Sequence, residues 1–329
     1  MLNYLYLFSF FSFIILINLL LIKYANKYQL FIDNPHIKNH SVHINETPRV
    51  LGISYLFLFP IILYLKIYDL LYLFLISIIL MFIGVLEDIK LSLKPKIRLI
   101  LQFILIFLFL NMNSDFVLKE ISFLRFSSDN ILLYQIITSI FIVALINSIN
   151  FIDGLNGLCV SYTIIIFLYL YLLTFNNFIL IFILFNLVIL FFNFPNPKSF
   201  IGDSGSYFLG TFIGLFLIYY FNSNFLPKSE WFIANLLAYP IADTTTSILR
   251  RLILGKSPFY PDNLHLHSLL NKFTSNNSLS SFFIIVFLVI LLLPTYFIKE
   301  KSYLLFFYFF FQILVFVLLQ NILQKYLSK

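Results

Sequence analysis

Eleven apolar runs divide the chain, near residues 3–22, 51–67, 69–86, 97–112, 131–149, 157–175, 177–194, 204–222, 231–250, 281–298 and 302–322. Most approach the roughly 20 residues that one bilayer-spanning helix needs. Little more than Tyr68 and Asp69 separates the second run from the third, which predicts a tight helical hairpin there. The expected fold is all-α: a polytopic integral membrane protein of about eleven transmembrane helices, with ten as the alternative count, in a single membrane domain over 1–329. The first run is longer than a signal-peptide core and lacks a cationic start, so it is expected to remain as a helix.

Composition narrows the class further. Of the 329 residues, 61% are hydrophobic and 11% charged, against about 45–50% and about 25% in ordinary globular domains. A soluble chain could not hide that much apolar surface, and disorder needs low hydrophobicity. Cys159 is the single cysteine, so no internal disulfide can form.

The scarce charges set an orientation. With Met1 outside and the runs alternating, the outer loops hold Lys66, Lys119, Arg125, Lys228, Lys299 and Lys301, and the other 15 of the 21 cations lie inside. That asymmetry predicts an outside N-terminus and a cytoplasmic working face. The net charge of +7 then reflects topology and contact with anionic membrane lipids, and calls for no nucleic acid. All five histidines and eight of the fourteen acids fall on the same predicted side.

Four polar constellations stand on that face. Glu87 and Asp88 end the third run, and Lys90, Lys94, Lys96 and Arg98 open the fourth. Paired acids can hold Mg²⁺ through oxygen or supply a base, and the cations suit phosphate. Asn147, Asn150 and Asp153 recur every three residues, so on a helix they share a face, and Gly154 and Gly157 then allow a tight turn. Phe200 precedes Gly202-Asp203-Ser204-Gly205-Ser206, where Asp203 or Ser204 reads as an N-cap and the free N–H groups suit a diphosphate. Last come Asp243, Arg250 and Arg251, then His265 and His267, two apart, with no further Cys or His placed for zinc. Each also has a structural reading: an interfacial loop for the first, capping for the second and third, a basic juxtamembrane loop for the fourth. Carboxylates, cations and a helix start on one face suit Mg²⁺-assisted transfer of a phosphate-bearing group, and the apolar body suits a lipid-borne acceptor.

These motifs, in this order, resemble the polyprenyl-phosphate N-acetylhexosamine-1-phosphate transferases, the glycosyltransferase family 4 enzymes that initiate surface glycans such as O-antigen and teichoic acid. The resemblance is strongest over 33–270. It rests on Glu87-Asp88, on N-x-x-N-x-x-D-G-x-x-G-L at 147–158, on G-D-x-G-S at 202–206 and on R-R-x-x-x-G-x-S-P-F-x-x-D-x-x-H-x-H at 250–267. The last run is similar to the N-acetylglucosamine-phosphate branch more than to the phospho-MurNAc-pentapeptide translocases, which remain an alternative.

The resemblance implies transfer of HexNAc-1-phosphate from a UDP-HexNAc, GlcNAc by default, to undecaprenyl phosphate in a bacterial inner membrane, with release of UMP. It implies Mg²⁺, or Mn²⁺ in its place, on Asp203 with Asp88 as a second candidate ligand. Asp88, Glu87 and Asp153 are the expected catalytic acids. Asn147, Asn150, Asn156, Phe200, Lys94, Lys96, Arg250, Arg251, His265 and His267 are the expected substrate contacts. A homodimer is compatible with this scheme. The chain departs from the family pattern at Glu87 and Asn156, where Asp is usual, at Ser268, where many members have His, and at Leu51, where Gly is usual. By the resemblance alone, Asn156→Asp restores the family residue and is expected to be tolerated. The non-enzyme alternative, a transporter, predicts ionisable groups near the bilayer midplane.

Overall fold

The computed structural model describes residues 4–33, 46–91, 93–119, 130–257 and 264–327. Its helices are α1 (Tyr4–Tyr28), α2 (Phe59–Tyr64), α3 (Tyr68–Asp88), α4 (Pro95–Met112), α5 (Ile131–Ile152), α6 (Leu158–Thr174), α7 (Asn177–Asn193), α8 (Gly202–Asn222), α9 (Glu230–Leu236), α10 (Ala238–Ile253), α11 (Leu266–Thr274), α12 (Asn277–Ile298) and α13 (Ser302–Leu327). Two short strands, β1 (Ile32–Asp33) and β2 (Thr47–Pro48), pair antiparallel with Ile32 opposite Pro48.

Among the described residues, seven helices (α1, α3, α4, α5, α8, α12 and α13) are long and apolar enough to cross a membrane. The shorter apolar helices are Leu51–Tyr64, α6 and α7. The protein is therefore a multi-pass membrane protein, helical apart from the short β1–β2 pair. In a bilayer core each backbone polar group needs an internal partner, which is why apolar segments of this length fold as helices.

Two runs differ from the sequence expectation. The segment after Val50 is a 3₁₀ helix over Leu51–Leu58 that becomes α-helical only at α2, so the hairpin's first arm is irregular. The ninth run, 231–250, is divided at Leu237 into α9 and α10. Pro240 explains the break, because it lacks an N–H and its ring crowds the carbonyl four residues back, at Leu236. That carbonyl instead accepts the buried Tyr162 hydroxyl at 2.8 Å.

The core is built around α8. In its most apolar window 89% of residues are buried, against 17% in both α1 and α13. Helices α3 and α5 clasp it most extensively. Gly84 makes the α3 contact possible, since a Cβ there would stand 2.4 Å from the Asp203 carbonyl oxygen. Outer helices instead expose large side chains such as Phe307 and Ile322, as expected of surface that faces lipid.

Candidate active site

The ends of α3, α5 and α10 and the starts of α4, α8 and α11 bring the four constellations to one end of the bundle. The closest junction is between α3 and α8. Asp88 is buried, and its two oxygens accept the Asp203 and Ser204 backbone N–H groups, each at 2.9 Å. Thus α8 is not capped by its own Asp203 or Ser204, as the sequence suggested. Helix α8 begins earlier, at Gly202, and an aspartate from another helix satisfies its first orphan donors. Gly202 permits this with a backbone φ of +68°, and a Cβ there would sit 2.6 Å from the Asp88 Oδ2.

Asp203 is the second helical residue and half-buried. Asn150, from the end of α5, donates at 2.9 Å to its Oδ1 and, through the same amide nitrogen, at 2.9 Å to the Ser206 hydroxyl. Three residues on, Asp153 terminates α5, and its carboxylate has no hydrogen-bond donor or ion pair among the described residues. Burial pushes the Asp153 carboxyl well above the ordinary carboxylate range; Arg49 pulls it back, while Asp203 and Asp88 push it further.

Arg49 is the cation closest in character to this cluster. It pairs at 2.6 Å with Asp33, the last residue of β1. Burial works against its charge, yet Asp33, Asp203 and Asp88 together hold its pKa above the usual value. The N-terminal loop, with Asp33 and Arg49, is weak evidence by sequence alone, because neither residue belongs to a motif. Their relevance comes from β2, which leads directly into the 3₁₀ turn packed against α8. The loop's histidines, His36, His40 and His43, lie outside the described residues.

Other expected site residues separate by role. Glu87 turns into the α3–α4 connection, accepting the Leu93 N–H at 3.0 Å with Arg98 at 3.9 Å, and so holds the turn. Asn147 is buried and donates to Gln102 on α4 at 2.8 Å. Asn156 faces away from the carboxylates: its amide donates to the Pro195 carbonyl and the Ser278 hydroxyl, each at 3.1 Å. Phe200 lies in the segment before α8, where its N–H bonds to Pro48. Lys94 and Lys96 are exposed at the start of α4.

The tail is docked as well. His265 precedes α11 and stacks on His267 with ring centroids 5.4 Å apart. His267 abuts the α5–α6 loop so closely that a Cβ on Gly154 would meet its Nε2 at 2.5 Å. Burial pushes His267 down to about 4, so the ring is a neutral imidazole at neutral pH. Arg251 is buried, Arg250 donates to the Ser247 hydroxyl at 2.9 Å, and 258–263 lie outside the described residues.

Beside the cluster lies a cavity of about 590 Å³ between α4, α5 and α10. Leu99, Phe103, Ile140 and Ile248 make it apolar, and Arg98 and Arg251 bring cationic groups to its wall. Arg98 also stands over the Tyr207 ring, 5.8 Å from its centroid.

The donor set can be tested for a hard cation. Asp88, Asp203 and Asp153 offer oxygen only, and the Asp153 carboxylate lacks a hydrogen-bond donor. Among the described residues no three His, Cys, Asp or Glu side chains converge as a ready cage. Mg²⁺ needs none, since it keeps several waters and binds through one or two carboxylates plus substrate phosphates. The residues fit such an ion.

Carboxylates at helix ends beside an apolar cavity with arginines in its wall suit chemistry on a phosphate group at the end of an apolar chain. Residues 70–221 match the family model described as glycosyl transferase family 4, and the chain belongs to that family. It is 30% identical over 278 residues to the undecaprenyl-phosphate alpha-N-acetylglucosaminyl 1-phosphate transferase of Escherichia coli O157:H7, covering 78% of this chain and 73% of that relative. It is 28% identical over 212 residues to the probable undecaprenyl-phosphate N-acetylglucosaminyl 1-phosphate transferase of Bacillus subtilis (strain 168), covering 62% of this chain and 59% of the relative. For the Thermotoga maritima undecaprenyl-phosphate alpha-N-acetylglucosaminyl 1-phosphate transferase the figures are 29% over 133 residues, covering 40% and 42%. The chain thus spans less than two thirds of the Bacillus and Thermotoga relatives.

Proposed function

We propose that this protein transfers an N-acetylhexosamine 1-phosphate, GlcNAc by default, from its UDP-linked donor to undecaprenyl phosphate at the cytoplasmic side of a bacterial inner membrane, as the first step of a surface glycan. The observation that carries this reading is the Asp88–Asp153–Asp203 cluster, beside an apolar cavity of about 590 Å³ with Arg98 and Arg251 in its wall. In the reaction the sugar-bearing phosphorus gains a bond to an oxygen of the lipid phosphate and loses its bond to the oxygen that leaves with UMP. The products are undecaprenyl-diphospho-HexNAc and UMP.

The division of labour follows from the chemistry of each group. Asp203, with Asp88 beside it, would hold Mg²⁺ or Mn²⁺, which when bound neutralises charge on the donor diphosphate. Asp88 both fixes the start of α8 and presents a carboxylate to the lipid phosphate. Asp153 offers a proton acceptor at the α5 end, with Asn150 keeping Asp203 in register. The phosphate end of the polyprenyl chain would lie in the cavity between α4, α5 and α10, with the rest of the chain in the bilayer and the phosphate drawn to Arg98 and Arg251. His265, His267 and Arg250 would contact the donor's phosphates or sugar, Phe200 would offer a ring for uracil, and Lys94 and Lys96 would steer anions from the surface. Glu87 and Asn156 act through the scaffold, since each is committed to a hydrogen bond within it, whereas Asn147, held by Gln102, also lines the cavity.

The test is release of UMP by the purified protein from a panel of UDP-sugars, with undecaprenyl phosphate and Mg²⁺ present or omitted. UMP is expected from a UDP-HexNAc only with both; none from any donor overturns the reading.

A further inference from the structure

The last helix reaches the histidine tail through one buried carboxylate. Asp243, on α10, is 1% exposed, and its two oxygens accept three hydrogen bonds. Oδ2 stands 2.7 Å from the His265 Nδ1. Oδ1 accepts the Leu266 N–H at 2.9 Å and the Gln320 side-chain amide at 2.7 Å. Leu266 opens α11, and Gln320 belongs to α13, well beyond the residues that match the family model. An ionised carboxylate only accepts, so the His265 Nδ1 carries a proton and donates it. His265 then stacks on His267, whose ring fills the space above Gly154, one residue from Asp153.

We propose that Asp243 and Gln320 are positioning residues, which fix the tautomer and orientation of His265 and so dock the stacked histidines against the α5–α6 loop. Gln320 is the informative member. A polar amide in an apolar helix is retained against its desolvation cost where it has a partner, and here that partner is the carboxylate that orients the tail. With a donor on Oδ1 the Asp243 carboxylate stays ionised and aimed at His265. Without it, Oδ1 loses one of its two buried bonds and the His265 link loosens. Helix α13 therefore acts on the donor side of the site without touching it.

This inference rests on the proposed transferase reading for its kinetic arm but not for its spectroscopic one. Gln320→Met keeps length and packing and removes the donor; Gln320→Lys restores a donor of similar reach. In ¹⁵N-histidine-labelled full-length protein in lipid nanodiscs, His265, assigned with His265→Gln, is expected as the Nδ1–H tautomer, and Gln320→Met is expected to mix its tautomers. In turnover assays, Gln320→Met should raise the KM for the UDP-sugar by about tenfold, the lower end of what outer partners of functional groups contribute. The KM for undecaprenyl phosphate should stay unchanged, and Gln320→Lys should recover most of the loss. A wild-type His265 protonated on Nε2 alone, or a donor KM indifferent to Gln320→Met, overturns the inference. Absence of UMP release by the wild type overturns the transferase reading instead, and the tautomer measurement, which needs no turnover, still decides the positioning role.

Discussion

Two buried aspartates do the same structural job in two parts of the molecule and end in opposite electrostatic states. Asp88 receives the first N–H groups of α8, and Asp243 receives the first N–H of α11. Each caps a helix that is not its own. Asp243 then gains two side-chain donors, His265 and Gln320, and among the described residues has no second carboxylate against it. Asp88 gains instead two acidic neighbours, Asp203 and Asp153, with Arg49 as their counter-charge. Burying a carboxylate is tolerable when its lone pairs are filled and costly when like charges crowd it. The first arrangement is a finished joint. The second is short of positive charge, which is the condition of a site that takes a cation or a phosphate-bound cation as part of its function.

The largest expected effect tests that contrast directly. Asp203→Asn keeps the shape of the α8 start and the contact with Asn150 but removes one charge from the cluster. Activity should fall by about 100-fold or more, the scale seen when a main electrostatic group is lost, while membrane insertion and thermal stability hold. UMP release and a melting curve measure the two arms. Near-normal turnover would show that the charge deficit has no catalytic meaning. Chelation of divalent metal should bring the wild type to the same low rate.

Gly202→Ala attacks the shared feature, the cap. Alanine at a φ of +68° and 2.6 Å from Asp88 must displace the carboxylate or the helix start. The strain is about 1–3 kcal/mol, so a lower melting temperature should accompany lost activity. A change in activity alone would mean that α8 tolerates the altered cap and that only the cluster's charge geometry matters.

How much of this was legible beforehand follows from which interactions are local. Helices α3 to α8 fall close to the predicted runs because a bilayer-length apolar segment has one way to satisfy its backbone. Asp88, Asn150, Asp153 and Asp203 announce themselves as polar groups at apolar ends. The partnerships do not. Asp88 meets Ser204 across 116 positions and Asn150 meets Asp203 across 53, so no spacing rule could reveal that one helix caps another. For the same reason Arg49 carries little weight in the sequence and Gln320 none. A signal existed for Gln320, an amide isolated in the run 302–322, but it names no partner. The break at Leu237 was readable in principle from Pro240, and hydropathy alone passed over it.

Asn156→Asp sharpens the line between residues that belong to the cluster and residues that merely share its motif. Resemblance predicts tolerance, and the geometry reverses that expectation. The Asn156 amide donates to Pro195 and Ser278, and an aspartate cannot donate; it would set a negative charge against the Pro195 carbonyl. A loss of about 1–3 kcal/mol of stability is expected, the cost of an unpaired buried acceptor. Metal dependence and donor KM should change little. Tight metal binding gained by this variant would instead mean that the loop can turn the new carboxylate into the cluster.

The smallest effects are expected at Lys94 and Lys96, and they mark where the contrast ends. Both are exposed at the start of α4, so their charges are screened over a Debye length of roughly 8 Å at physiological salt. They attract anionic substrates and lipid headgroups without being fixed to either. Lys94→Ala and Lys96→Ala should each lower kcat/KM by less than about threefold at low salt, in keeping with the modest worth of exposed charges. The difference from wild type should vanish as salt is raised, because screening removes what the substitution removed. A large effect that survives high salt would place a lysine inside the desolvated cluster, and the charge shortage around Asp88, Asp153 and Asp203 would then be smaller than Arg49 alone implies.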